Sequence, residues 1–465
     1  MKFHKSIMLM MSVLSLSACN LHFLPSSSEI NSNDYPLERL ITPKVEKIST
    51  TSVHAVSLST YNSYMAFARK FTSLMMEANN SDGEKSLGIS IPDAYICLAI
   101  AGVISEQNAM NDVLSYLELS SIEQLRTAIK EIVANFATLY RDRDDQLTGG
   151  YNLNSIWLNP EKVKLVEEKD PELYKDLEEI FDASLYMNPL TSDAANQYIK
   201  DNGLKDMPAP KIKLNDDDPS ALSVMSVYYC LGFFPLEMQN AFKNQFLSGS
   251  HKMDYMLNGV TSQVDYICSQ GERDVYVGSG FYGSYLPMNS LNMAFFLPND
   301  KNALPSTILS DVLTENYHCK QATAHEYTGE EFQTTIHDIT INAPYFSLEN
   351  ESKLEYGDLK KILPAITNRG AGNRLAESIF GEDLYLSAVQ QFSVMKFNYD
   401  GFYSCSATIA SVDPMSSIPP EYEKFELNLN HPYIFEVRKN VIIGDDGYQH
   451  MPLVIGEIVM PDYQE

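Results

Sequence analysis

The sequence predicts one large α/β unit built on a dominant sheet. About 410 residues after residue 51 run without a linker-like break or an internal repeat. Stretches with helical and strand periodicity follow one another in irregular order, which argues against a doubly wound parallel sheet. A near-continuous apolar run, Ser223 to Phe234, is too long and uninterrupted for an edge strand and suits the centre of a sheet.

Taken in order, the chain opens with a basic segment, Met1 to Lys5, and an apolar run from Ile7 to Leu16 that is too short to span a bilayer. Leu16-Ser17-Ala18-Cys19 resembles a bacterial lipobox, which implies removal of residues 1–18 and lipidation of Cys19; cleavage after Ala18 as an ordinary secretory signal is the alternative. Either way the protein is exported, and Asn20 in place of Asp argues against retention at an inner membrane. Residues 19–51 are rich in Ser, Asn and Pro without periodicity and read as a flexible tether, leaving residues 52–465 as the folded domain.

Tyr64, Phe67, Phe71 and Leu74 recur at helical spacing. Ser90 to Gly102 is apolar nearly all round and reads as a buried helix. Ser120-Ser-Ile-Glu123 offers a capping box for a helix with Leu125, Ile129, Val133 and Phe136 on its apolar face. A strand at Tyr151–Trp157 precedes helices at Pro171–Phe181 and Ser192–Asn202, the latter closed by Gly203. Asn292–Pro298 and Thr335–Pro344 are further strands by alternation and β-branching.

Near the C-terminal end, residues 398–421 read as an exposed segment able to exist as loop or strand. Ser404, Ser406, Thr408 and Ala410 alternate as small groups that fit a sheet interior, whereas Pro414 to Pro420 is too proline-rich for a central strand.

In composition, the loss of Lys2 and Lys5 takes 34 bases to 32, so 61 acids leave a formal charge of −29. Such a surface repels nucleic acid and heparin-like polyanions and leaves basic proteins as partners. The domain holds Cys97, Cys230, Cys268, Cys319 and Cys405, an odd number that excludes a complete internal disulfide set. His318-Cys319 with His325 lacks a complementary ligand pair, Asn215–Asp218 lacks the central glycine of a calcium loop, and Gly370-Ala-Gly372 lacks the preceding strand of a nucleotide loop. No metal or cofactor is expected. No nucleophile elbow or zinc-protease motif is present, and the chain is not expected to be an enzyme.

The C-terminal segment resembles the reactive loop of the serpins, the conformational inhibitors of serine proteases. With Gly401 as the hinge glycine, the family's spacing puts the reactive bond fourteen residues on, between Met415 and Ser416, in a loop spanning about 399–420. His431-Pro-Tyr-Ile-Phe-Glu-Val-Arg438, Leu453 to Pro461, Asn154-Ser-Ile-Trp157 and Ile89-Ser-Ile-Pro92 resemble further family motifs, so the likeness covers Ser59 to Pro461. It implies a multi-sheet α/β serpin fold, with a large central mixed sheet, eight or nine helices, an exposed reactive loop and a monomeric state. It implies a suicide substrate: a protease cuts the loop, forms its acyl-enzyme, and the freed hinge enters the sheet as an added strand. Met415 suits elastase-, chymotrypsin- or subtilisin-like serine proteases, with cysteine proteases as a further class.

Departures from the pattern favour an alternative, a non-inhibitory binding protein of the same fold on the cell envelope. Phe402 and Tyr403 stand where small residues are usual, and a phenyl ring there is expected to overpack the sheet at a cost of about 1–3 kcal/mol. The family's shutter residues become Ala94, Ser226 and Gln391, and its Lys–Glu pair at the hinge becomes Tyr345 with Tyr399.

Overall fold

The structure is a computed structural model and describes residues 54–142, 146–163, 171–205, 207–217, 220–249, 251–289, 291–321, 323–328, 331–368, 388–404, 421–444 and 447–463, with short pieces at 39–42, 47, 49, 384 and 386. Nine helices and three sheets lie among these residues. The dominant sheet runs in the order Arg39–Ile41, Ala183–Tyr186, Leu147–Leu158, Leu222–Phe233, Gly401–Ser404, Val389–Asn398 and Phe346–Leu354, with Leu139–Arg141 paired off Leu147–Leu158. A second eight-stranded sheet centres on Asn292–Pro298, Tyr433–Ile443 and Tyr448–Ile458, and a five-stranded one on Glu331–Pro344.

The helices form where the pattern predicts them. Leu58–Asn79 buries Tyr64, Phe67 and Phe71, and its Ser57 cap accepts from the Thr60 N–H. Pro92–Val103, with ten of its twelve residues buried, lies beneath the main sheet. The capping box of Ile122–Phe136 sits one residue later than expected: Ser121 accepts from the Gln124 N–H, and the Gln124 side chain accepts from the Ser120 N–H at 2.8 Å. Ser192–Asn202 is as expected, but Gly203 is not a left-handed cap, since its φ is −76°. A Cβ there would stand 2.2 Å from the Tyr229 hydroxyl and 2.5 Å from the Ile199 carbonyl, so the glycine is needed for close approach of helix to sheet.

Two apolar layers flank the main sheet. The larger, on the side of Pro92–Val103, joins it to the second sheet through Phe295, Phe346, Phe397 and Phe435. The smaller, under Ser192–Asn202, gathers Trp157, Tyr186, Tyr198 and Tyr229; Trp157 stacks on Tyr186 at 4.5 Å. The sheet is therefore buried on both faces, and a strand added at its middle must satisfy both layers.

Candidate functional site: a seated hinge above an open cleft

Residues 401–404 form a central strand of the main sheet rather than the start of an exposed segment. They pair antiparallel with Val389–Asn398 on one side, Ser404 opposite Met395, and with Leu222–Phe233 on the other, Ser404 opposite Cys230. This corrects the expected exposure at the start of the 398–421 stretch: Asn398, Gly401, Phe402 and Ser404 are buried. Ser406, Thr408, Ala410, Met415 and Ser416, along with Cys19, lie outside the described residues.

The turn that reverses the chain is locked at several points. The Asn398 side-chain carbonyl accepts from the Asp400 N–H at 2.9 Å, and its amide donates to the Tyr403 hydroxyl at 2.9 Å. The Phe234 N–H donates to the Asp400 carbonyl at 2.9 Å. Gly401 has φ +144°, and a Cβ on it would lie 1.9 Å from the Gly232 carbonyl oxygen; only glycine fits.

Phe402 does not overpack the sheet. Its ring is fully buried, 6.0 Å from the ring of Phe435 and 6.4 Å from that of Phe346. Its partner across the strand is Gly232, and directly opposed residues project to the same face. A Cβ at 232 would come within 3.0 Å of the Phe402 carbonyl oxygen and 3.2 Å of Met288 Sδ, so a large residue at 402 is matched by none at 232. Tyr403 points the other way, against the Trp157 layer. An isolated glycine inside the apolar 223–234 run was the sequence signal for this close approach.

Around the turn, tyrosines replace the ion pair of the family pattern. Tyr345 and Tyr399 meet edge-on, 6.3 Å apart at 85°. Phe246 lies 5.4 Å from Tyr345 and 5.5 Å from Tyr399, and Tyr463 of the C-terminal tail lies 5.4 Å from Tyr345. Lys396 Nζ stands 4.9 Å over the Tyr463 ring and Lys243 Nζ 5.7 Å over that of Tyr399. The tail's part in this cluster was not visible in the sequence, because nothing local links residue 463 to residues 345 and 399.

Below Ser404 the two flanking strands separate. Among the described residues, none pairs with Leu222–Val227 or with Val389–Val394 on their facing edges, and a cleft of about 620 Å³ opens between them. The strand registers this: Leu222 to Ser226 are half-buried and Val227 to Gly232 buried. Helix Pro92–Val103 supplies the floor through Asp93, Ala94, Cys97 and Leu98; Cys97 Sγ donates to the Val224 carbonyl at 3.7 Å.

At the waist of the cleft, the Gln391 side chain ties strand to helix. Its oxygen accepts from the Ser90 N–H at 2.9 Å, and its amide donates to the Ser90 carbonyl at 2.9 Å and to Asp93 Oδ2 at 3.3 Å. Asn152, absent from the sequence reading, donates to Ser226 Oγ at 3.1 Å. Burial pushes the Asp93 carboxyl up to about 6, against the opposing hydrogen bonds from Ser90, Ala94, its own N–H and Gln391.

Comparison with protein-family models and with curated proteins returns no match. Solved structures do match over nearly the whole domain. Arabidopsis AtSerpin1 in its native stressed conformation aligns with TM-score 0.61 at 15% identity, covering 87% of this chain and 100% of its own. Serpin48 of the insect Tenebrio molitor gives 0.60 at 15%, covering 88% and 100%. The chain has the serpin fold. The thermophilic serpin Tengpin matches in both its native and latent states, with TM-scores of 0.59 and 0.57 at 14% and 13% identity, over 91% and 88% of this chain and 100% of each Tengpin chain. Serpins in different conformational states thus align about equally well, and the state of this chain is read from its own pairing at residues 401–404.

Proposed function

We propose that this protein is a suicide-substrate inhibitor of serine proteases whose reactive bond is Met415–Ser416. The observation that carries the reading is the strand Gly401–Ser404, seated between its two flanking strands directly above a cleft walled by the continuations of both, Leu222–Val227 and Val389–Val394, which pair with no described residue on their facing edges.

On insertion in the same register, Ser406 would lie opposite Tyr228 and Ser393, Thr408 opposite Ser226 and Gln391, and Ala410 opposite Val224 and Val389. These three small side chains would share the face on which Ser404 is already buried. In the proposed reaction the protease hydroxyl attacks the Met415 carbonyl, the Met415–Ser416 bond breaks, and the amine of Ser416 leaves with a proton. The acyl-linked segment then fills the cleft. Successive inserted residues direct their backbone hydrogen bonds alternately to one flank and to the other, at about 1 kcal/mol net per bond, against roughly 1–2 kcal/mol of ordering cost per residue. Apolar area sealed between the two layers adds to the gain.

Targets of this class have apolar primary pockets, as in elastase-, chymotrypsin- and subtilisin-like enzymes. The same proposal holds the inhibitor at a bacterial cell envelope through lipidated Cys19. Incubation with each of the three enzymes is expected to give a complex that survives detergent and heat. Cleavage at Met415–Ser416 with no complex would reject inhibition and leave a binding protein of the same fold.

A further inference from the structure

We propose that residues 460–463 form a strap that fixes the seat of strand Gly401–Ser404, with Tyr463 as its positioning residue. The inference rests on the pairing of residues 401–404 and stands apart from the inhibitory reading.

The strap is tied down before it reaches the hinge. The Tyr255 hydroxyl donates to the Val459 carbonyl at 3.0 Å, and the Val459 N–H donates to Ser86 Oγ at 2.9 Å. Pro461 is buried. The Ser347 N–H, on the last strand of the main sheet, donates to the Asp462 carbonyl at 2.6 Å. A segment that leaves the second sheet after Ile458 thereby docks on the edge of the main one and satisfies an edge amide there.

From that anchor the path to the hinge is short. Ser347 opposes Lys396 and Lys396 opposes Tyr403, so the three form one row across three strands and project to one face. Lys396 Nζ stands 4.9 Å over the Tyr463 ring. The same ammonium acts on the turn: burial raises the Asp400 carboxyl, and Lys243 and Lys396 oppose that rise. Burial, and after it Tyr463, raises the Tyr403 hydroxyl, so the strap's ring lies within electrostatic reach of the hinge strand. Tyr463 also packs 5.4 Å from Tyr345 and 6.0 Å from Phe246, and Tyr345 meets Tyr399 edge-on.

Two routes from Tyr463 thus end where strand Gly401–Ser404 begins. One reaches Asp400 and Tyr403 through Lys396, and the other reaches Tyr399 through Tyr345. Both need an aromatic ring. Its face attracts the ammonium and its edges meet the neighbouring rings, which an aliphatic side chain of similar bulk does not reproduce. The hydroxyl is not required by either route.

Hydrogen exchange on the full, uncleaved chain tests this. In Tyr463→Ala the amides of Phe402 to Ser404 are expected to lose about fivefold or more in protection, while those of Leu147–Leu158 keep theirs. Tyr463→Phe should match wild type, Tyr463→Leu should behave as Tyr463→Ala, and Lys396→Met, which keeps the stem without the charge, should show a smaller loss. Unchanged protection at residues 402–404 in Tyr463→Ala would overturn the strap. An equal loss at Leu147–Leu158 would also overturn it, since the effect would then be general destabilisation. Full protection in Tyr463→Leu would overturn the role of the ring. No protease enters the experiment, so its outcome is separate from that of the inhibitory reading.

Discussion

Gly401→Val is expected to eject the hinge strand from the sheet. The new Cβ would stand 1.9 Å from the Gly232 carbonyl oxygen and 2.9 Å from its carbon, contacts with backbone of a central strand that cannot yield as a flexible side chain would. The backbone at φ +144° adds strain of roughly 1–3 kcal/mol for any residue with a side chain. Retreat from both costs forfeits the pairing of residues 401–404 with two strands and the burial of Phe402 against Phe346 and Phe435. Hydrogen exchange reads this directly: the amides of Phe402 to Ser404 should lose at least about tenfold in protection, while those of Leu147–Leu158 on the far side of the 222–233 strand stay protected. Unchanged protection at residues 402–404 would mean that the hinge does not depend on the close approach of Gly401 to Gly232.

Met415→Arg is expected to exchange one class of target for another. In an apolar primary pocket an unbranched thioether buries its whole length, whereas a guanidinium must leave water with no partner. In an Asp-lined pocket the guanidinium gains a charge-paired partner and the thioether gains nothing. Discrimination built on an unpaired buried charge exceeds that from one methylene, so the association rate with elastase- and chymotrypsin-like enzymes should fall by roughly 100-fold or more, with a trypsin-like enzyme gaining comparably. Because residue 415 lies fourteen positions from the hinge glycine, the hinge protection described above should be untouched. An unchanged order of protease preference would place the reactive bond elsewhere.

What the chain disclosed on its own follows from how far each signal travels. Helices Leu58–Asn79 and Ser192–Asn202, the buried helix starting at Pro92 and the central strand from Leu222 rest on periodicity, capping and apolar runs, all local properties. Gly401 followed by alternating small residues is a local pattern too; of those residues Ser404 is seen in the sheet, whereas Ser406, Thr408 and Ala410 lie outside the described residues. The pocket for Phe402 was not legible, because it is assembled from Gly232, Phe346 and Phe435, distant in sequence and joined only by sheet pairing. Size complementarity across strands therefore turned an expected overpacking into a fitted contact. The tyrosine cluster was half visible: Tyr345 and Tyr399 followed from the family's paired positions, whereas Phe246, Tyr463 and the two lysines over the rings required the fold. Asp93 reads in sequence as an ordinary acidic residue in a helix's first turn; its position on the cleft floor beside Gln391 is a tertiary fact.

The central claim is that the cut segment gains more from the cleft than from solvent. Thermal unfolding of the protein before and after cleavage at Met415–Ser416 tests it most directly. A strand that pairs with Leu222–Val227 and Val389–Val394 should raise the melting temperature by roughly 10 °C or more. A cleaved protein that melts at or below the temperature of the intact one would contradict the account.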